Sequence, residues 1–330
     1  MEPVDLDSVP SPRVASLLPS ATEMVCAVGM EEHLVGVSHE CDWPPSVVGR
    51  PVLTGSRLAP RGRSGEVDRD LRRILAEAVS LYTLDEEALA RARPDVLVTQ
   101  DLCEVCAVSK DDVLAAVRRV LPDVKLVDLS PLCLADVWND VRRVGEALGR
   151  AAEAEAFLAT LDARVEAVRA RAATLDARPH VLTVEWIEPV MVGGLWMPEM
   201  VEIAGGVPLV TAPKEHAPTL TTEQLAALDP APDVVLAKPC GFPLERTEAE
   251  LPALARLLLE LPWPAVERGA VWLADGNAWF NRPGPRLVES LEVLAACMHP
   301  EGFADLGARH AAGLRHVPDL RAAAGAAGPA

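Results

Sequence analysis

The chain has 330 residues, of which half are hydrophobic and 24% are charged, with a mean hydropathy of +0.16; that is ample material for a large core and excludes a disordered scaffold. At about 150 residues per domain, the length predicts two domains or lobes. Lys and Arg total 31 against 49 Asp and Glu, a net charge of −18, which excludes a nucleic-acid binder built on clustered cations.

No stretch approaches the roughly 20 uninterrupted apolar residues of a membrane span, so the sequence predicts an acidic, soluble protein. The first residues, MEPVDLDSVPSPR, carry Glu2, Asp5 and Asp7 and lack the basic start and apolar run of a secretory signal. As written, the sequence predicts a cytoplasmic location; an extracytoplasmic, lipid-anchored one follows if the N-terminus is trimmed. Seven cysteines, an odd number in a long chain, predict reduced thiols rather than a disulfide framework.

In chain order, a Pro-rich leader over 1–12 precedes a first lobe over 13–133. Its short β-branched runs at 13–18, 34–38, 95–99 and 125–129 alternate with amphipathic stretches, the pattern of a parallel sheet covered by helices. Residues 134–178 follow, with apolar positions at Val137, Val141, Val144 and Leu148, then at Phe157, Leu158, Leu161, Val165 and Val168. This is helical spacing, broken at Gly149 and stopped by Pro179. The part from 151 to 175 predicts a helix roughly 37 Å long at 1.5 Å per residue, able to bridge two lobes and allowing only a small closure. Two ordinary helices packed on one lobe fit the same periodicity.

A second lobe over 179–316 carries strands at 181–186, 233–238 and 270–274, and the tail over 317–330, ending LRAAAGAAGPA, is expected to fray. No repeat of fixed period is present. The expected fold class is α/β: two lobes, each with a mainly parallel sheet, joined by a long interlobe helix.

Open parallel sheets bind ligands beyond the carboxyl ends of their strands, which here selects the loops at 19–23, 38–45, 100–109, 186–198, 239–242 and 275–286. Ser20 and Glu23, behind Pro19, fit a capping box, either to expose free N–H groups to an anionic ligand group or simply to start a helix. Trp43, Trp186, Trp196 and Trp279, with Phe280 beside the last, fall on these loops. Large rings there suggest a flat, mostly apolar ligand, although each ring singly fits packing equally well. Trp138, Trp263 and Trp272 read as packing residues.

His39 and Cys41 form an H-x-C, and Cys103 and Cys106 a C-x-x-C. Imidazole and thiolate are zinc ligands, and four of them can close a tetrahedral site; a redox pair and inert packed thiols are the alternatives. A thioredoxin-type pair is disfavoured, since Asp101 and Glu104 would raise the thiol pKa values. Glu185, Glu188 and Glu199 flank the 186–198 loop, yet no nucleophile elbow, triad order or phosphate loop accompanies them, so catalysis has no signature. Asn281, Arg282 and Arg286 suit the gripping of carboxylate or amide groups, while Arg286 equally opens a solvated helix.

Several of these stretches together resemble a known family. RVASLLPSATEMVCAVG, LVGVSHECDWPP, RPDVLVTQDLC, the 134–178 helices, PTLTTEQLAALDPAPDVVLA and NAWFNRPGPRLVESLEVLAAC span about 13–300. They resemble the cobalamin-binding proteins of ABC importers, within the wider group that binds vitamin B12, haem and ferric siderophores. The resemblance implies a class III periplasmic-binding-protein-like fold with a corrinoid held between two rigid lobes. It places Trp43, Trp186, Trp279 and Phe280 where the family has aromatic contacts, with Trp196 and Arg282 on the same loops, and implies that Glu87 and Glu223 meet arginines of an ABC permease. Two features depart from the family's pattern: no export signal is evident, and His39 and the DLCEVCAVS loop go beyond the general motif. The expected function is therefore non-catalytic binding of cobalamin or a related metal chelate. The alternative is a cytosolic metalloprotein or enzyme using His39, Cys41, Cys103 and Cys106; a third reading is a docking subunit that meets a basic partner through Glu87 and Glu223.

Overall fold

The computed structural model describes residues 11–57, 62–76, 82–100 and 110–325. These divide into two compact units. The first takes the described residues within Met1–Ala59, Leu71–Pro131 and Trp138–Ala159, and the second those within Pro60–Asp70, Leu132–Val137 and Thr160–Ala330.

The first unit opens with β1 (Val14–Ser16), α1 (Pro19–Ala27), β2 (Leu34–Gly36) and β3 (Thr54–Ser56). α2 (Ser64–Ala76), whose residues up to Asp70 belong to the second unit, β4 (Tyr82–Leu84), α3 (Glu86–Ala92), β5 (Val96–Gln100), α4 (Lys110–Val120) and β6 (Lys125–Leu129) follow. A four-stranded sheet runs β2-β1-β5-β6, parallel at every pairing. Val14, Ala15, Leu97 and Val98 are wholly buried, as expected of strands covered on both faces, where an apolar run replaces the alternating pattern of a half-exposed sheet. Gly36 serves this packing: a Cβ there would overlap the Leu53 side chain, which joins Ala15, Leu89, Leu97 and Val117 in one cluster. β3 and β4 form a separate antiparallel pair that no sequence pattern announced.

α1 corrects one expectation. It begins at Pro19, its N-cap is Leu18, and no side chain caps it. Ser20 lies inside the first turn and is buried, so the Ser20–Glu23 capping box does not form. Proline at the first helical position has a preset φ and loses no needed N–H, which starts the helix without a polar cap.

α5 (Leu134–Ala147) and α6 (Ala151–Ala172) are separate helices, parted where Gly149 takes φ +71°, a left-handed value that glycine adopts without strain. α6 has 22 residues and ends three short of the expected Leu175. Its buried positions are Ala154, Leu158, Leu161, Val165, Val168 and Ala172, one continuous stripe of alternating four- and three-residue steps. Its residues up to Ala159 belong to the first unit and those from Thr160 to the second.

The second unit continues with β7 (His180–Trp186), β8 (Val190–Val192), α7 (Met197–Ile203), β9 (Val207–Pro208), β10 (Thr219–Leu220) and α8 (Thr222–Ala226). Next come β11 (Val234–Ala237), α9 (Leu244–Leu259), α10 (Pro264–Glu267), β12 (Val271–Ala274), α11 (Leu287–Met298), α12 (Ala304–Arg309), β13 (Leu314–His316) and α13 (Leu320–Gly325). The sheet runs β10-β8-β7-β11-β12-β13, with β9 beside β7. β7, β11 and β12 are parallel, whereas β8, β10 and β13 add antiparallel edges. The mainly parallel expectation thus holds for the centre; the edge strands are too short for a periodic signal.

The expected tail over 317–330 is also corrected for its described part. Val317 and Leu320 are buried in the core of this unit with Leu254 and Leu258, because α13 gives its apolar side to α9. Among the described residues, no helix is long and apolar enough to cross a membrane. The fold is the α/β class expected from the sequence.

Candidate functional site

Each of the two larger sheets presents the ends of its parallel strands, followed by loops. In the first unit, a chain of hydroxyls surrounds the H-x-C. Thr22 on α1 donates to Ser16 Oγ (2.9 Å), and its oxygen lies 3.1 Å from Cys41 Sγ. Thr54 donates to Ser38 Oγ (3.2 Å), receives the His39 backbone N–H (3.1 Å) and lies 2.7 Å from His39 Nδ1. His39 and Cys41 therefore sit two apart in sequence yet engage different hydroxyls, one on β3 and one on α1. Ser16, Thr22 and Thr54 carry no motif, and their role was invisible in the sequence.

Trp43 follows on this loop with 45% of its surface exposed, and Val48 and Val52 later in the chain are exposed as well. Cys103 and Cys106, the other two ligands of the expected four-ligand metal site, lie outside the described residues. Among the described residues, no group of three or more His, Cys, Asp or Glu side chains could hold a metal ion. On α1, burial, with Glu31, Glu23 and Cys41 nearby, disfavours the Cys26 thiolate and pushes the thiol up to about 12 against the opposing pull of Arg50.

In the second unit the expected aromatic residues divide into two groups. Trp186, at the end of β7, is half-buried; its indole N–H donates to Glu188 O (3.1 Å) and its ring meets Phe242 edge-on at 5.1 Å. Phe242 in turn carries the Arg246 guanidinium 3.6 Å from its ring centre, a cation–π contact. Trp279 is half-buried as well, edge-on to His310 at 5.4 Å and seated where a Cβ on Gly313 would clash with it.

Trp196 and Phe280 differ from expectation. Trp196 is 5% exposed and Phe280 is wholly buried. The Trp196 indole N–H donates to Phe280 O (2.7 Å), and Phe280, at φ +64°, receives the Ser290 hydroxyl oxygen on its own N–H (2.9 Å). They are supports that hold the 275–286 loop rather than faces offered to a ligand, because the left-handed turn at 280 sends its ring into the core. Arg282 is half-buried and donates to Asn277 Oδ1 (2.9 Å).

Beneath these rings lies a polar group that sequence reading passed over. Lys238 follows β11 and is wholly buried, with its Nζ 3.0 Å from Glu185 Oε2 and 2.9 Å from Asn281 Oδ1. Asn281 donates its amide hydrogens to Lys238 O (3.1 Å) and Gly276 O (3.0 Å). A Cβ on Gly276 would fall on the Pro239 carbonyl oxygen, so only glycine lets these two loops approach. Glu185 and Asn281 were visible as polar residues near loops; Lys238 gave no signal, because it reads as the tail of an apolar strand.

Glu87 and Glu223 occupy equivalent local positions. Each is the second residue of a short helix, α3 and α8, and each is exposed. Asp85 caps α3 by accepting the Ala88 N–H (2.8 Å). Thr221 and Gln224 form a reciprocal capping box on α8, and a hydrogen bond with the Thr221 side chain holds the Glu223 carboxyl below its ordinary value. Glu87 pairs only loosely with Arg91, at 3.6 Å. Carboxylates at helix starts are favoured by the helix dipole.

A protein-family model described as periplasmic binding protein matches residues 14–274. In fold, the chain is similar to the periplasmic haem-binding protein RhuT from Roseiflexus sp. RS-1, at 22% identity over 89% of this chain and 100% of that one, with a TM-score of 0.64. It is similar also to the periplasmic vitamin B12-binding protein BtuF of Vibrio cholerae (19% identity, 88% and 97% covered, TM-score 0.64). A periplasmic haem-binding protein from Pseudomonas aeruginosa is alike to the same degree (23%, 88% and 94%, 0.63). At such identities the likeness is one of fold. No curated protein sequence matches the chain.

Proposed function

Because the chain belongs to the periplasmic binding protein family, whose members bind solutes without catalysing a reaction, we propose that it captures a cobalamin-type corrinoid and delivers it to an ABC permease. The observation that carries the ligand class is that strand-end tryptophans of each unit are not fully buried: Trp43 in the first is exposed, and Trp186 and Trp279 in the second are half-buried. Wide indole faces suit a flat macrocycle, and an exposed ring such as that of Trp43 is costly without a partner. The solved structures of similar fold include binders of haem and of vitamin B12, so the fold accommodates ligands of this size.

Family membership does not support the enzymatic alternative or the cytoplasmic location expected from the acidic first residues; an extracytoplasmic site of action is the reading that fits. Glu87 and Glu223, exposed on capped helices, are the proposed contacts to permease arginines. Titrating the purified protein separately with cyanocobalamin and with hemin, following heat and visible absorbance, tests the ligand. Saturable binding of cyanocobalamin is expected. No heat and no spectral change at millimolar corrinoid rejects it, and saturable binding of hemin alone transfers the assignment to haem.

A further inference from the structure

We propose that Glu185 is a selectivity residue of the second unit, reading the ligand periphery for amide N–H groups and rejecting peripheral carboxylates. This rests on the tetrapyrrole-sized ligand class proposed above and adds to it the chemistry of the ligand's rim.

Glu185 is the next-to-last residue of β7, immediately before Trp186. Its backbone carbonyl accepts the Cys240 N–H (3.0 Å), and one step earlier Val184 O accepts the Lys238 N–H (2.8 Å), so the ends of β7 and β11 are pinned together. Of its two carboxylate oxygens, Oε2 takes the Lys238 ammonium at 3.0 Å. Oε1 has no hydrogen bond among the described residues, and 25% of the side chain is exposed while the lysine side chain has no exposure at all. The cation is thus wholly buried while the carboxylate it pairs with is partly exposed, and Oε1 is the acceptor left for a ligand.

Asn281 fixes the arrangement. Its Nδ2 is committed to the carbonyls of Lys238 and Gly276, which leaves Oδ1 as the second acceptor for Lys238. A flipped amide would lose all three bonds, so Lys238, and through it Glu185, has one orientation. Lys238 Nζ also lies 5.9 Å from the centre of the Phe280 ring, which closes the remaining side with an aromatic face. A purely structural pair needs no exposed carboxylate; here one acceptor is left unbonded among the described residues on a partly exposed side chain held by a buried partner, as preorganised binding groups are.

An outward carboxylate oxygen accepts hydrogen bonds and donates none. A primary amide on the ligand rim satisfies it. A rim carboxylate at the same place sets two anions within hydrogen-bond distance, a repulsive element that discriminates more sharply than lost attraction.

The test compares cyanocobalamin with its separated monocarboxylic acids, each made by hydrolysing one peripheral propionamide, in calorimetric titrations of the wild-type protein and of Glu185→Gln. Wild type is expected to bind at least one of the acids tenfold or more weakly than the parent. In Glu185→Gln the side-chain oxygen stays with Lys238 and an N–H turns outward, so the preference for the amide disappears or reverses. Equal affinity of wild type for cyanocobalamin and every acid overturns the proposal without any variant, and so does a preference that Glu185→Gln retains. Failure of wild type to bind cyanocobalamin at all is a different result: it removes the ligand class on which the proposal rests.

Discussion

Arg164 on α6 grips Glu292 on α11 with two parallel bonds, Nε to Oε1 at 2.9 Å and one terminal nitrogen to Oε2 at 3.0 Å, although Glu292 is only 2% exposed. His310 Nε2 adds a third contact at 2.7 Å. Burial pushes the Glu292 carboxyl up, but the His310 and Arg164 hydrogen bonds and charges outweigh it and hold it at about 2. A folded-state value below the ordinary 4.5 gives stability that is present above 4.5 and lost as pH falls towards 2. At 1.36 kcal/mol per pKa unit this is roughly 3 kcal/mol. Urea unfolding between pH 5 and about 2 should show that loss in wild type and a flatter profile in Glu292→Gln, which should itself be destabilised by about 3–5 kcal/mol at pH 7 because the arginine loses its buried partner.

A second pH effect should appear at a higher range. Burial lowers His299 below its ordinary 6.5, against the opposing pull of the Gly205 and Ala204 backbone. The unfolded chain then binds this proton more readily, so stability is complete above 6.5 and declines below it. Replacing His299 by Leu should flatten the unfolding midpoint between pH 7 and 5.5 while leaving the acid limb governed by Glu292 in place. A wild-type midpoint that does not fall across that interval would count against the assignment.

Trp43 and Trp279 should separate binding from stability. Trp43→Ala should weaken cyanocobalamin binding by about 1–3 kcal/mol and shift folding stability by no more than about 0.5 kcal/mol, since the ring is exposed. Trp279→Ala should weaken binding similarly and also lower the melting temperature, because its ring fills the space above Gly313 and beside His310. Unchanged affinity in both variants moves the ligand elsewhere.

The glutamates should affect transport alone. Glu87→Arg and Glu223→Arg together should abolish ligand-dependent stimulation of the partner permease in proteoliposomes. Cyanocobalamin affinity should stay at the wild-type value, since both side chains are exposed. Retained stimulation in the double variant would remove these residues from the docking surface.

Gly276 should be the most sensitive small residue near the polar group. Its substitution by Ala places a methyl on the Pro239 carbonyl oxygen, a backbone atom that cannot rotate away, and should cost about 1–3 kcal/mol or more in urea unfolding. The same variant should weaken cyanocobalamin binding, because Asn281 depends on the Gly276 carbonyl.

Much of the fold was legible because parallel strands buried on both faces appear as short apolar runs. The expected 125–129 strand matches β6 in full, and 181–186 and 270–274 each differ from the observed strand by one residue. The break at Gly149 was readable too, since few residues other than glycine enter that backbone region freely. The edge strands β8, β9, β10 and β13 were not readable. With two or three residues each, they are strands only because a neighbour supplies their hydrogen bonds.

For the candidate site, residue types chose the loops, since strand ends and their unusual residues lie close in the chain. What sequence could not assign was the direction of each side chain. Trp196 and Trp186 look alike on paper, yet one is buried and bonded to Phe280 O and the other is half-buried. Lys238 looks like a strand's polar end, and only the meeting of β7, β11 and the 275–286 loop makes it the buried support of Glu185. Local spacing fixes which segments become helix or strand, because those periods repeat within a few residues. Which polar atoms face one another across 43 or 53 positions of chain is settled only when the sheet brings its strands into register.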